Sequence, residues 1–506
     1  MEHTRPENDH IMTTVLFIQD LYWQNLGPMY ISAALKEAGH RVGMLMTNRL
    51  DSVLKNLEGV DIVAFSRITG SHSLALEWIK EIKKVRPEIV SVMGGAHPTF
   101  YPEVIEQCDE LDFICRGEGE EAMVELCDRF PNREEMSWVE NLSSVVDGAV
   151  RKNPMRALGD IDDLPYPDRK LYGNMFHGSV QPVLASRGCP YDCSFCFENS
   201  FRTALKEDTG TTVSVRYRNP RKVIDELKET ADTARIIQFR DESFLSHKNW
   251  FMEFLTLYRD EIGVPFTAQI RVNEVTEEKA KLMSEANAHC VYMGIESGNE
   301  DIRSKIINKK LKTEHIHRGA DLLRKYNIPW RSYNIIGFPE ETLEDVYSTI
   351  KVNQDIGTAY PWVSMLMPYK GTEIYKYYEE YYDSEDLNNL EWFFPQSAYY
   401  KDKQEFLNLQ NFFFLLIKFP WLKPLVKQLI KVKPNLLYRL IYQAGYAWAA
   451  FRSEGYRLDD FLNIATLLTF RKFTYGPFYE EPVKPKRQNT PAPDLEANSS
   501  VAMGTL

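Results

Sequence analysis

The chain has 506 residues, more than one hydrophobic core usually supports, so two or three domains are expected. Its 60 basic and 72 acidic residues leave a formal charge of −12, which argues against a surface built to neutralise nucleic-acid phosphates. Seven cysteines, an odd number with three crowded into eight positions, suit metal binding better than a disulfide framework.

Residues 1–12 are polar, lack the basic-then-apolar pattern of a secretory signal, and read as a disordered start. No apolar run approaches the roughly 20 residues that span a bilayer, so a cytoplasmic location is expected. Within 13–135, the runs TTVLFI, RVGMLM, VDIVAFS, IVSVMGG and DFIC alternate with amphipathic stretches such as PMYISAALKEAG and SLALEWIKEIKK. Five strand–helix units predict an α/β, doubly wound, Rossmann-like parallel sheet. Such sheets bind ligands beyond the carboxyl ends of their strands, where Ser66 to Gly70, Gly94–Gly95 and Gly117 to Gly119 fall. The polar stretch Pro131–Asp160 and the Pro-containing Ile161–Tyr172 predict an extended connector, so 136–180 is taken as a linker.

A second alternating series fills 181–375, with strands near VLASRG, ARIIQFR, PFTAQIR, HCVYMGIES, WRSYNIIGF and YPWVSMLMP. Six units predict a partial (β/α)6 barrel whose chemistry sits on loops at the C-terminal strand ends. Residues 376–480 have the texture of a helical region, and 481–506 that of a disordered tail. Between Phe406 and Arg452 there are several lysines and arginines but no acid. Two readings stay open there: a helical cap over the barrel mouth, or an amphipathic surface that meets a membrane or a lipid-like substrate. Prolines 420, 424 and 434 favour the cap.

The sequence SRGCPYDCSFCFENS spaces Cys189, Cys193 and Cys196 as C-x3-C-x2-C directly after the first barrel strand. Three thiolates can hold a [4Fe–4S] cluster with one iron left open to a substrate's amino and carboxylate groups. A structural zinc site is the alternative, but it normally needs a fourth close Cys or His, and none follows nearby. Cys108, Cys115, Cys127 and Cys290 lie in apolar contexts and read as core.

These residues resemble the radical S-adenosylmethionine superfamily, across nearly the whole barrel. The resemblance implies that Phe195 packs near the adenine and that Asp241 or Glu242, in FRDESF, accepts from the methionine amino group. It implies that Arg271 meets the methionine carboxylate, that Gly294, Glu296 and Ser297 of GIESGNE lie near the ribose, and that Gly337 of IIGFPEET borders the adenine.

With its preceding doubly wound domain the chain resembles the cobalamin-binding branch, including anaerobic magnesium-protoporphyrin ester cyclase-like proteins and class B methyltransferases. GPMYISAALKEAGHRV, VMGGAHPTFYPE and DFICRGEGEEAMVEL carry that match. It implies cobalamin contacts from Ser66, Thr69, Gly70, Gly94, Gly95, His97, Gly117 and Glu118. The Asp-x-His-x-x-Gly signature that supplies an axial histidine to cobalt is absent, and His40, between a helix end at Gly39 and a strand, reads as structural.

The resemblance implies reductive cleavage of S-adenosylmethionine to a 5′-deoxyadenosyl radical, followed by cobalamin-borne methyl transfer to an unactivated carbon of a small or lipid-like substrate. Oxidative cyclisation or rearrangement without methyl transfer is the rival within the branch. A non-enzymatic iron–sulfur or cobalamin sensor is the rival outside it. An external one-electron donor of flavodoxin or ferredoxin type is the implied partner, and nucleic acid is not expected.

Overall fold

Aliphatic runs too short for helices pair into two sheets in a computed structural model that describes residues 12–173, 175–176, 179–379, 404–456 and 474–480. Residues 1–11 and the 481–506 tail, both read as disordered, lie outside the described residues. In the first sheet β1 (Thr14–Gln19), β2 (Arg41–Thr47), β3 (Ile62–Ser66), β4 (Val90–Gly94) and β5 (Phe113–Cys115) run parallel in the order β2-β1-β3-β4-β5. Helices cover both faces, so β1 is buried along its whole length instead of alternating. Val15, Phe17, Met44 and Val92 pack toward Leu35 and Leu126 on one face, and Leu16, Leu45, Val63 and Phe65 toward Leu76 and Ile79 on the other.

The expected connector is corrected here. Residues 142–152 form an antiparallel hairpin, β6 (Leu142–Val146) and β7 (Ala149–Lys152), which continues the sheet beyond β5. Its turn is Asp147–Gly148 with both φ angles positive, 53° and 77°, the backbone that a two-residue Asp-Gly hairpin loop requires.

The second sheet is parallel and open. β8 (Val180–Val183) leads to the short antiparallel pair β9 (Ser186–Arg187) and β10 (Arg216–Tyr217). Then β11 (Ile236–Phe239), β12 (Phe266–Ile270), β13 (Ala288–Glu296), β14 (Trp330–Ile336) and β15 (Tyr360–Met365) follow in chain order from β8. Phe239, Ala268, Val291 and Met293 face outward into a core shared with Val223, Phe254, Ala280 and Ile316 of the surrounding helices.

One of the C-terminal helices departs from the reading of a cap over the mouth. Helix Leu436–Glu454 lies on the barrel side of β14 and β15: Tyr442 donates to the Val363 carbonyl at 2.9 Å, and Glu454 pairs with fully buried Arg331 at 2.7 Å. Its side chains and carbonyls meet Tyr292, Arg331 and Val363 of β13, β14 and β15. The helical reading also ends early, because β16 (Thr474–Glu480) pairs antiparallel with β2 and returns the chain to the first sheet.

Candidate active site

The barrel's first loop carries Cys189, Cys193 and Cys196 on a braced turn. At Gly188 φ is +97°, and a Cβ there would lie 2.4 Å from the Ser214 carbonyl oxygen, so no other residue fits this turn. Arg202, on helix Phe197–Thr209, donates to the carbonyls of Cys189 and Tyr191. Ser194 ties the loop to the far side of the barrel through its N–H to Ile307 and its hydroxyl to Ile306, at 2.9 and 2.7 Å. Cys196 occupies the N-cap of helix Phe197–Thr209, where the helix field favours a negative sulfur.

Cys193 is buried, with Cys189 and Cys196 half-buried. Burial pushes the Cys189 thiol up to about 11 and the Cys196 thiol up to about 12, so metal must displace protons to bind. Among the described residues no three His, Cys, Asp or Glu side chains converge on one point as a single ion requires. A cubane takes its thiolates at separate corners, and an all-cysteine donor set suits iron–sulfur chemistry. Arg271 at the end of β12 directs Nη1 at the Cys193 sulfur, 3.9 Å away, and rests on the Tyr191 ring.

Around that loop the residues singled out for S-adenosylmethionine divide into free and occupied groups. Asp241 is fully buried, and its oxygens accept from Ala185 N at 3.2 Å and Ser186 Oγ at 2.6 Å, so it braces the chain entering the loop. Glu242 is exposed into the cavity, with protein crowded around its carboxyl. It accepts from Gly188 N at 3.2 Å, and that crowding, then nearby Glu198, push its carboxyl up to about 8. Glu198 is raised as well, first by burial.

Glu296 has φ +65° and a buried ion pair with Lys309 at 2.7 Å. Gly294 makes room for it, since a Cβ there would lie 2.0 Å from Glu296 Oε1 and 2.6 Å from Lys309 Nζ. Ser297 is buried and accepts from Asn299 N at 3.2 Å. Gly337 has φ +90°, and Glu341 gathers the N–H groups of Gly337 and Phe338. Phe195 is half-buried against the cluster that contains Phe338 and Ile374.

A cavity of about 290 Å³ is lined by residues of both sheets. Phe17, Ala64 and Val92 floor it, Ser66, Gly94, Gly95, Gly117 and Glu118 rim it from the first sheet, and Arg187, Gly188, Glu198, Arg202 and Glu242 close it from the barrel. Gly95 is obligatory: with φ +96°, a Cβ would meet Arg67 O at 2.6 Å. This apolar floor between glycine walls suits a flat aromatic base, which fits the nucleotide tail of a cobalamin.

Thr69, Gly70 and His97 do not line that cavity. Thr69 and His97 lie in a smaller pocket with Tyr369 and Lys370, where His97 stacks on His72 at 3.7 Å and hydrogen-bonds Thr69 at 3.1 Å. Burial holds His97 down to about 3. Among the described residues no histidine lines the 290 Å³ cavity. His40 is buried against Thr13 N, 3.3 Å away, and faces Asp128, in keeping with a structural role.

Sequence reasoning missed Arg202, Glu198, Arg187 and Lys309. Their signal lies in position alone: Glu198 and Arg202 follow Cys196 on one helix, and Lys309 follows Glu296 by 13 residues, while Glu120, the partner of Arg187, is distant in sequence.

Comparison with known families matches residues 183–352 to the Radical SAM superfamily and residues 15–127 to the B12 binding domain. An uncharacterized methyltransferase of Pyrococcus horikoshii is 32% identical over 326 residues, covering 63% of this chain and 69% of that protein.

The chain belongs to the radical SAM superfamily, in its B12-binding-domain branch.

An anaerobic magnesium-protoporphyrin IX monomethyl ester cyclase of Rubrivivax gelatinosus is 28% identical, and the match covers 66% of this chain but 62% of the cyclase, just under two thirds of it. Among solved structures, the cobalamin-dependent S-adenosylmethionine radical enzyme OxsB, with aqua-cobalamin and S-adenosylmethionine bound, has the same fold, with a TM-score of 0.64, 18% identity, and coverage of 90% of this chain and 75% of that one. A radical SAM enzyme takes a [4Fe–4S] cluster and S-adenosylmethionine, and the matched N-terminal domain is of the cobalamin-binding kind.

Proposed function

We propose that this radical SAM enzyme transfers a methyl group to an unactivated carbon of a small molecule, with cobalamin held on the first sheet and the cluster held by Cys189, Cys193 and Cys196. One observation carries the reading: the cavity between the Gly95 and Gly117 turns is also lined by Gly188, which precedes Cys189, and by Glu242 of the loop after β11, so the candidate corrinoid site adjoins the cysteine loop. When bound, the cluster, S-adenosylmethionine and cobalamin supply one-electron cleavage of a sulfonium and a methyl carrier.

The chain's own groups bind and orient. Arg271 donates toward the Cys193 sulfur, and Glu242, which lines the cavity with Glu198, accepts from the methionine ammonium. Gly294, Glu296 and Ser297 line the ribose side, and Gly337 with Phe195 the adenine side. Ser66, Gly94, Gly95, Gly117 and Glu118 face the corrinoid. The stack of Phe100 on Phe197, at 4.3 Å, and Tyr369 beyond it exclude water between the two sheets. An external one-electron donor of flavodoxin or ferredoxin type completes the system.

The Pyrococcus relative, a methyltransferase by name, supports methyl transfer; the cyclase relative supports oxidative ring closure instead. Anaerobically reconstituted protein given methyl-labelled S-adenosylmethionine, reductant and cobalamin separates them. Label recovered in a substrate-derived product, apart from S-adenosylmethionine, methionine and methylcobalamin, is the expected result. If 5′-deoxyadenosine and labelled methionine are the only products, ring closure replaces methyl transfer.

A further inference from the structure

The C-terminal helices bury one side and leave the other bare. Inward, Val426, Ile430, Tyr438 and Tyr442 join the core that holds Phe338 and Leu366 at the strand ends. Outward, Trp421 is 74% exposed, Leu436 71%, Leu437 63% and Leu425 55%. Leu437, Leu440, Ala444 and Trp448 continue along one face of helix Leu436–Glu454 at three- and four-residue steps, all exposed. Single exposed leucines are ordinary, but a contiguous apolar face marks an interaction surface.

Its charge selects the partner. From 406 to 452 the chain has seven lysines and arginines and no acid, within a protein of net charge −12. Lys427 reaches Glu344 at 3.5 Å, but among the described residues no carboxylate pairs with Lys423, Lys431, Lys433 or Arg439. A second copy of this chain, docked face to face about a two-fold axis, would set these cations against one another. An anionic surface is complementary to them. Among the described residues no helix is long and apolar enough to cross a membrane.

We propose that residues 419–448 lie on an anionic lipid bilayer, with Trp421 and the leucines at the acyl boundary and the lysines among the headgroups. Aromatic and aliphatic side chains rimmed by lysine are what an interfacial helix presents. The prolines at 420, 424 and 434 divide the stretch into the helices Pro420–Leu422, Lys423–Leu429 and Leu436–Glu454, with Val426 and Tyr438 in the core and Trp421, Leu425, Leu436 and Leu437 exposed.

The test is flotation of the full-length chain with vesicles of phosphatidylcholine alone or with about 30 mol% phosphatidylglycerol. The chain is expected to float with the anionic vesicles only and to detach as salt rises. Brominated acyl chains should quench tryptophan emission less in Trp421→Phe than in the parent. The triple variant Lys431→Glu, Lys433→Glu, Arg439→Glu should partition at least roughly tenfold less, as should Leu436→Ser, Leu437→Ser, Leu440→Ser, with unchanged circular dichroism. Absent or equal binding to the two vesicle types overturns the proposal. So does a dimer in light scattering that the leucine variant abolishes. If a variant fails to fold, the parent's salt dependence and lipid quenching decide, and failure of either overturns it.

Discussion

Arg271 holds Nη1 3.9 Å from the Cys193 sulfur, with its guanidinium carbon 3.7 Å from the centre of the Tyr191 ring. A cation donating to a cluster sulfur favours the reduced, more negative state. Arg271→Met should therefore lower the cluster's midpoint potential by on the order of 50 mV, equivalent to about 1.2 kcal/mol for one electron. Redox titration followed by EPR reads this directly. A potential that stays put or rises would show that Arg271 does not act on the sulfur.

Gly294 and Lys309 are two halves of one device. Lys309→Met leaves Glu296 as a buried carboxylate without its ion-pair partner, at a cost of about 3–5 kcal/mol. Gly294→Ala should approach the same loss, because its Cβ occupies the Glu296 position. Thermal unfolding of the two variants and the double variant should show strong non-additivity. Simple addition of the two losses would show that the glycine and the pair act separately.

Glu242 makes stability depend on pH. Its carboxyl is pushed up to about 8 in the folded chain by the protein crowded around it and then by Glu198, against an ordinary value near 4.5, and because the side chain is exposed into the cavity, solvent screens part of that shift. The folded state then binds more protons than the unfolded one between those values, so stability is full below about pH 4.5 and falls as pH rises toward about 8. Asp241, raised to about 6 by burial, works in the same direction. Glu242→Gln should flatten the slope of melting temperature against pH in cofactor-free protein. An unchanged slope would place the proton elsewhere.

Glu454 anchors the helix that meets β13, β14 and β15. Its removal leaves Arg331 buried among Tyr333, Trp362 and Tyr446 without its carboxylate. Glu454→Ala should cost about 3 kcal/mol and speed proteolysis of residues 436–456. Equal proteolysis rates in variant and parent would count against this anchoring.

Much of this architecture was legible because its signals are local. Each parallel strand carries its own apolar run, each helix its own amphipathic period, and the three cysteines lie on one turn. The β6–β7 hairpin was also written locally, in Asp147–Gly148, but a polar stretch with modest alternation hid it. Asp241 looked free because its position at a strand end is visible in the sequence, whereas Ser186 and Ala185, which occupy its oxygens, lie more than fifty residues away. His97 followed the glycine turn as expected, yet the turn carries it toward His72, away from the shared cavity.

The sequence by itself determined the two α/β units, the order of their strands along the chain, and the cysteine loop with its glycine turn, because hydrophobic period and backbone permission act within a few residues. Tertiary structure alone decided that the glycine rim of the first sheet faces Glu242, that Lys309 neutralises Glu296, and that the last helix meets β13, β14 and β15 while leaving a basic apolar face outside. Those outcomes depend on burial and pairing between distant segments, and the free energy of a charge or a leucine is set by what surrounds it once the chain has closed.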